Sequence, residues 1–150
     1  MSFVDADWAS HEDRKSVSGC AIKVYGNTVD WYTKKQSTIA LSSTEAEFNA
    51  LSEGLRELPW INKLLEEVGV KVKTPVIIYE DNQLCTGEWG QKRLRDMDIR
   101  YKFIRYCVEQ GFIVVNYINS ENQEADLFTK PLPLIRFSKL KNKIVMIEVN

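Results

Sequence analysis

The chain has 150 residues, of which 44% are hydrophobic and 27% charged, and its formal net charge is −1. This balance excludes a disordered or collagen-like chain and predicts one domain, residues 1–150, with a core of its own. It also excludes a uniformly basic nucleic-acid binder, and the single histidine excludes a multi-histidine metal site.

Membrane association is not expected from the sequence. The longest apolar runs are too short to span a bilayer, and the N-terminal "MSFVDADW" lacks the regions of a signal peptide. The three cysteines are odd in number and show no paired spacing, which favours a reducing compartment. We therefore expect a soluble protein.

The first third of the chain predicts three strands. The stretch "SFVDADWA" alternates, "SGCAIKVYG" follows it, and "TVDWYTKK" comes after a turn at Gly26 and Asn27. These three segments indicate an antiparallel meander.

A long helix is predicted next. Ser42 and Glu45 fit a capping box, and the apolar residues that follow recur at helical spacing. Pro59 is expected to end or kink this helix, and a second apolar-periodic segment from Trp60 should close at Gly69.

The second half of the chain alternates between strands and helices. The runs "TPVIIYED" and "FIVVNYI" predict strands, a helix is expected over residues 98–110, and another begins at Ser120 with Gln123 at its capping-box position. This order predicts an α/β protein with a mixed sheet and flanking helices, whose ligand sites gather at the carboxyl ends of strands.

Four acids from distant segments fall at strand ends or on inward positions of predicted helices: Asp5, Glu47, Asp81 and Asp126. Each has an ordinary explanation as a turn residue or as a complement to a helix dipole. If they converge, their mutual repulsion requires a divalent cation, and such a cluster is what two-metal phosphoryl transfer needs.

Five motifs occur in order: "FVDADWASHEDRKSVSG", "KKQSTIALSSTEAEFNAL", "IYEDNQ", "DIRYKFIR" and "NQEADLFTKPLP". Together they resemble the ribonuclease H domain of copia-type (Ty1/copia, Pseudoviridae) LTR retrotransposon polyproteins. The match covers residues 3–137 and leaves 138–150 as a C-terminal extension. The resemblance implies a ribonuclease H-like fold, with three antiparallel N-terminal strands and then two parallel strands in one mixed five-stranded sheet.

The resemblance also implies a function. Members hydrolyse the RNA strand of RNA/DNA hybrids during reverse transcription, with two Mg²⁺ ions for which Mn²⁺ can substitute. By motif position, the catalytic and metal-binding residues would be Asp5, Glu47 (rather than Glu45), Asp81 and Asp126.

Substrate-binding residues are also implied. Ser43, Thr44 and Gln83 match positions that touch the minor groove of the hybrid, although capping and solvation explain them equally well. Residues 92–105 hold six basic and two acidic side chains. Three of these basic residues are candidates for binding the hybrid, namely Lys92, Arg93 and Arg95, and the alternative is a solvated helix face.

A second function stays open, a host-domesticated module with weak or absent catalysis that acts by binding nucleic acid or protein. Three features motivate it: the start at Met1, "RDMDI" where relatives carry a histidine, and a shortened segment before "DIRY".

The enzyme would act in the cytoplasm, within a virus-like particle, beside the reverse transcriptase domain of its polyprotein. A domesticated copy would be nuclear. An integrase or another nuclease of this fold would require a different order of motifs.

Overall fold

A five-stranded sheet organises the protein. The computed structural model describes residues 1–10, 12–86 and 99–144. The strands are β1 (Ser2–Asp7), β2 (Val17–Val24), β3 (Asn27–Lys35), β4 (Val76–Glu80) and β5 (Ile113–Tyr117). Their order in the sheet is β3-β2-β1-β4-β5. β1, β2 and β3 pair antiparallel, whereas β4 pairs parallel with both β1 and β5, which confirms the predicted mixed sheet.

The turn between β2 and β3 lies one residue earlier than the sequence predicts. Its two central residues are Tyr25 and Gly26, with φ angles of 50° and 85°. Positive φ at both positions is what the two-residue type I′ hairpin requires, because its twist matches that of the strands.

The helix α1 (Ser43–Glu67) begins where the sequence predicts but does not end at Pro59. The proline ring lies on the exposed face, while Leu58 and Ile61 on either side are buried against the sheet. These contacts offset the hydrogen bond that proline cannot donate, so the prediction that the helix ends there is wrong. The helix closes at Gly69, as predicted, where φ is 80°.

Gly54 allows α1 to approach the sheet closely. A Cβ atom at this position would lie 3.1 Å from Cγ2 of Val4 and 3.6 Å from Sγ of Cys20. The glycine lowers helix propensity, but it lets the helix axis lie near β1 and β2. The N-terminal half of the helix is consequently enclosed, and residues 46–52 are all buried.

The two faces of the sheet carry different layers. The larger core lies between the sheet and α1 with α3 (Ile99–Glu109), and it includes Val4, Phe48 and Ile104. A smaller cluster on the opposite face centres on Phe3 and Ala125. Successive residues of β1 therefore face opposite layers. The short helix α2 (Gln83–Thr86) follows β4.

The helix predicted from Ser120 is replaced by two short 3₁₀ helices, Ser120–Asn122 and Glu124–Phe128. Gln123 separates them, and its buried side-chain amide donates to the carbonyl of Val4 at 2.9 Å and to that of Tyr79 at 3.5 Å. It also caps the second 3₁₀ helix rather than forming a capping box with Ser120. The amide reaches both strands because the β1–β4 ladder extends only to Phe3 and Tyr79. The two strands diverge beyond that pair.

A further helix, α4 (Leu134–Ile144), follows the 3₁₀ segment and was not predicted from the sequence. Only Leu140 and Ile144 are buried, whereas Leu134 and Ile135 are exposed, so its apolar pattern is irregular. Among the described residues, the structure contains no helix with the length and apolar character needed to cross a membrane.

Candidate active site

Three of the four predicted acids come together at one edge of the sheet. Asp5 lies near the carboxyl end of β1, and Asp81 directly follows the neighbouring parallel strand β4. Glu47 reaches the same edge from the second turn of α1. One carboxylate oxygen from each residue lies within 4.8 Å of the others. Carboxylates this close repel one another, so the arrangement fits a divalent cation.

The capping of α1 determines which of its two glutamates faces the site. Ser42 is the N-cap and accepts from the backbone N–H of Glu45 at 3.1 Å, while the carboxylate of Glu45 accepts from Leu41 N–H at 2.7 Å. Glu45 is thus used at the start of the helix, and Glu47, two residues later, points inward. This is the orientation the sequence predicts. Since Ser42 is the cap, capping does not account for Ser43 or Thr44.

Asp126 does not join the three-acid group directly and is linked to it by a lysine. Nζ of Lys130 lies 2.8 Å from Oδ1 of Asp5 and 2.9 Å from Oδ1 of Asp126. The other oxygen of Asp126 accepts from the guanidinium of Arg136, on α4. The two basic side chains neutralise charge on this side of the site, and sequence reasoning found neither of them.

Two hydroxyl groups orient the acids. Thr129 donates to Oδ2 of Asp5, and Ser120 Oγ donates to Oδ2 of Asp81 at 2.7 Å. The carbonyl of Ser120 in turn accepts from Arg136. Contacts from the 3₁₀ segment and α4 thereby fix the carboxylates of Asp5 and Asp81.

Burial makes two acids of this site, Asp5 and Glu47, hard to ionise. Burial raises the pKa of Asp5 to about 6, although Lys130 opposes the rise. Burial, followed by the charges of Asp5 and Asp81, raises the pKa of Glu47 to about 9. Burial lowers the pKa of Lys130, but the charges of Asp5 and Asp126 outweigh it and raise that pKa above its usual range. The charged form of Glu47 is therefore disfavoured, and a divalent cation beside it would favour that form.

The donor set fits a divalent metal ion. Oε2 of Glu47 is buried and has no hydrogen-bond partner in the part of the chain that the structure describes. A buried carboxylate oxygen without a partner is unfavourable unless a cation or a water molecule satisfies it. Oxygen ligands from three carboxylates are those that Mg²⁺ and Mn²⁺ prefer.

Glu80 is a further acid beside the site that sequence reasoning missed. It is the last residue of β4 and is fully buried, next to Asp81. The signal in the sequence was the alternation of "VIIYE", which places Glu80 in phase with Val76 and Ile78 on the buried face.

The predicted substrate-binding residues fall into two groups. Ser43 is exposed and Thr44 half-buried in the first turn of α1, and the backbone of Gln83 begins α2 two residues after Asp81. These three residues lie close in sequence to Glu47 or Asp81. The other three, Lys92, Arg93 and Arg95, lie outside the described residues.

Comparisons with known proteins agree with this fold. The chain is 35% identical over 153 residues to the retrovirus-related Pol polyprotein from transposon RE2 of Arabidopsis thaliana, which covers 99% of this chain and 10% of that protein. It is 33% identical over 149 residues to that from transposon TNT 1-94 of Nicotiana tabacum, covering 96% of this chain and 11% of that protein. The chain thus spans about a tenth of the length of these curated relatives. No protein-family model matches it.

Among solved structures, the chain is similar to LC11-RNase H1 in a crystal structure with an RNA/DNA hybrid. The TM-score is 0.62 at 17% identity, and the match covers 85% of this chain and 91% of that one. The protein therefore has a ribonuclease H-like fold, and an acidic cluster lies at one edge of its sheet. More particularly, the chain is a relative of copia-type retrotransposon Pol polyproteins, as its motifs indicate.

Proposed function

We propose that this chain is a metal-dependent ribonuclease H that hydrolyses the RNA strand of RNA/DNA hybrids. The observation that carries the proposal is the group of Asp5, Glu47 and Asp81, whose carboxylate oxygens lie within 4.8 Å of one another. The fold and the kinship with Pol polyproteins support the choice of substrate.

The proposed cofactor is Mg²⁺, bound as two ions, with Mn²⁺ as a substitute. Asp5, Glu47 and Asp81 would hold one ion, and Asp5 together with Asp126 would hold the second. The chemistry that the ions supply when bound is activation of water and neutralisation of the charge that develops on the phosphate. No side chain then needs to act as a nucleophile.

The protein itself neutralises part of the site. Lys130 and Arg136 balance the charge of Asp126, and Lys130 also balances Asp5. Because Nζ of Lys130 stands between Asp5 and Asp126, it must move when a cation takes that position. Glu47 has no comparable side-chain partner in the described part of the chain, so the Glu47 side binds a cation first.

The hybrid is proposed to lie across this edge of the sheet. Ser43, Thr44 and Gln83 lie close in sequence to Glu47 or Asp81 and would contact the minor groove, where the 2′-hydroxyl distinguishes RNA from DNA. The basic residues Lys92, Arg93 and Arg95 would contact phosphates, and hybrid binding should then weaken as salt rises.

The test is cleavage of an end-labelled RNA/DNA hybrid with Mg²⁺ and then with Mn²⁺. Replacing the central acid with its amide, Asp5→Asn, should lower the cleavage rate at least ~100-fold, since it removes a charge needed at the reacting centre. The matched control is Glu109→Gln, an exposed acid of α3 that pairs only with Arg105 among the described residues. This control should cleave as the wild type does.

Failure of the folded wild type to cleave with either metal would contradict the enzymatic proposal. Hybrid binding without cleavage would instead support the domesticated binding module.

We further propose that the enzyme works inside the cell beside the reverse transcriptase of the same polyprotein, because the relatives are Pol polyproteins.

A further inference from the structure

One face of α4 contacts the whole of the first 3₁₀ helix, Ser120–Asn122. Three basic side chains of α4, spaced three and four residues apart, contact three successive residues of that helix: Arg136 with Ser120, Lys139 with Glu121, and Lys143 with Asn122. Residues with this spacing lie on the same face of a helix. The carbonyl of Lys143 also accepts from Nζ of Lys23 at 2.9 Å, which joins the end of α4 to β2. The 3₁₀ helix is therefore bound to an α4 that is itself attached to the sheet.

A single nitrogen of Arg136 connects two parts of the site. Nη2 donates both to Oδ2 of Asp126 and to the carbonyl of Ser120. The hydroxyl of Ser120 in turn donates to Oδ2 of Asp81 at 2.7 Å. Asp126 and Asp81 belong to different segments of the chain, and Arg136 and Ser120 link them.

The donors on these carboxylates follow one pattern. Each aspartate of the site has its Oδ2 atom bound by a donor from residues 120–136: Asp126 by Arg136, Asp81 by Ser120, and Asp5 by Thr129. The Oδ1 atoms of Asp5 and Asp126 instead lie 2.8 Å and 2.9 Å from Nζ of Lys130. A positive group thus already lies at the Oδ1 atoms, and donors on Oδ2 keep these atoms turned toward it. Hydrogen bonds to the second oxygen of a ligating carboxylate fix its orientation in this way.

We infer that Arg136 is a positioning residue of the cation site, which orients Asp126 directly and Asp81 through Ser120. The inference rests on the proposed function for the presence of the ion. Carboxylates whose rotation is already restricted lose less side-chain entropy when they bind an ion. The helix α4 is then part of the metal site, although none of its residues needs to touch the ion or the hybrid.

The first test removes the hydroxyl of Ser120 without changing any charge. Mn²⁺ is titrated into the protein without hybrid, and the free ion is measured by electron paramagnetic resonance. Ser120→Ala should lower Mn²⁺ affinity about tenfold, the range found when groups behind metal ligands are replaced. Ser120 is exposed, so the variant should fold, and Ser120→Thr, which keeps the hydroxyl, should bind Mn²⁺ as the wild type does. Equal affinity in Ser120→Ala and wild type would overturn the inference.

The second test separates positioning from charge. If Arg136 acted only by its positive charge, it would repel the ion, and Arg136→Met would bind Mn²⁺ more tightly than the wild type. As a positioning residue it should have the opposite effect, and we expect Arg136→Met to bind Mn²⁺ about tenfold more weakly. The matched control is Lys139→Met, which removes one charge from the same face of α4 and a contact with the same 3₁₀ helix, and it should not weaken Mn²⁺ binding. Tighter binding by Arg136→Met would contradict the inference.

A double variant tests the path from Arg136 to Asp81. Because both residues act on Asp81, Ser120→Ala combined with Arg136→Met should weaken Mn²⁺ binding by less than the product of the two single effects. Single effects that multiply would show that Arg136 does not reach Asp81 through Ser120.

The inference and the proposed function fail in different ways. If Ser120→Ala and Arg136→Met bind Mn²⁺ more weakly than a wild type that does not cleave the hybrid, Arg136 keeps its role and the nuclease proposal fails. If the wild type cleaves the hybrid and both variants bind Mn²⁺ as well as it does, only the inference fails.

Discussion

The ammonium of Lys130 lies 2.8 Å from Oδ1 of Asp5, so a fully buried acid of the site has a cation supplied by the protein itself. A metal ion that binds Asp5 and Asp126 together must therefore compete with this side chain.

Replacing Lys130 with methionine keeps most of the length of the side chain and removes its charge. The metal-free variant should lose about 2 kcal/mol of unfolding free energy, a typical value for hydrogen bonds to charged groups. Mg²⁺ should restore more stability to the variant than it adds to the wild type, since the ion no longer competes with an ammonium group. Urea unfolding with and without Mg²⁺ measures both effects, and an equal gain in the two proteins would contradict the competition.

Stability of the metal-free protein should depend on pH through Asp5 and Glu47. The folded pKa is raised from 3.8 to about 6 for Asp5 and from 4.5 to about 9 for Glu47. The folded state therefore holds more protons than the unfolded state in these ranges, so stability falls as pH rises from about 4 to about 9. Saturating Mg²⁺ should flatten this fall, because it favours the ionised carboxylates.

The variant Glu47→Gln distinguishes the contributions of Asp5 and Glu47 to this pH dependence. It should abolish the part of the fall between about pH 6 and about pH 9 and reduce the part below about pH 6 to the contribution of Asp5. Urea unfolding at a series of pH values measures the slope. A Glu47→Gln profile parallel to that of the wild type above about pH 6 would show that Glu47 does not carry this dependence.

Gly19 is expected to tolerate no side chain. A Cβ atom there would lie 2.6 Å from Cγ2 of Thr129 and 3.0 Å from both the carbonyl of Ala125 and Cβ of Phe128. Gly19→Ala should displace the second 3₁₀ helix and cost about 1–3 kcal/mol, as overpacking does. Because Thr129 donates to Asp5, the cleavage rate should fall as well. Chemical denaturation and the hybrid assay measure the two losses.

A second change tests the cause of that loss. Thr129→Ser keeps the hydroxyl that bonds Asp5 but removes Cγ2, the nearest atom to the added methyl group. Gly19→Ala combined with Thr129→Ser should therefore recover part of the stability. If the two changes instead add independently, the contact with Cγ2 is not the source of the strain.

Gln36 is expected to hold the start of α1 in place. Its buried amide donates to Ser18 Oγ at 3.0 Å and to the carbonyl of Ala46 at 2.9 Å, and it accepts from Asn49 at 3.1 Å. Gln36→Leu should leave these groups unpaired and cost about 1–3 kcal/mol. Ala46 precedes Glu47, so kcat should fall more than KM rises. Steady-state cleavage together with urea unfolding checks both effects.

The control for this prediction is Gln110→Leu, at an exposed position after the end of α3. It should change neither unfolding nor cleavage. Loss of stability in Gln36→Leu with an unchanged kcat would show that the network supports the core without positioning Glu47.

The sequence predicts most of the fold because local patterns determine most of it. Alternation and short apolar runs mark the five strands, and the capping residues Ser42 and Glu45 place the start of α1 correctly. The sheet then brings Asp5 and Asp81 together, since parallel neighbours end at the same edge. What these features have in common is that each depends on residues close in sequence or on the sheet topology.

The features that the sequence did not predict depend on contacts between distant segments. Pro59 remains within a helix because buried neighbours on both sides hold it there. Gln123 ends a predicted helix by bonding to backbone carbonyls of two strands. Lys130 and Arg136 become part of the site only once the 3₁₀ segment and α4 lie beside β1. No pattern within a single segment contains this information.

The early end of the β1–β4 ladder bears on how the site binds ions. Since backbone pairing stops at Phe3 and Tyr79, the distance between Asp5 and Asp81 depends on the angle at which two strands separate, and Gln123 holds both strands at that point. Ion binding then requires little ordering of the main chain, and most of its conformational entropy penalty comes from fixing side-chain rotations. A site preorganised in this way should retain its geometry in the free protein, before any nucleic acid arrives.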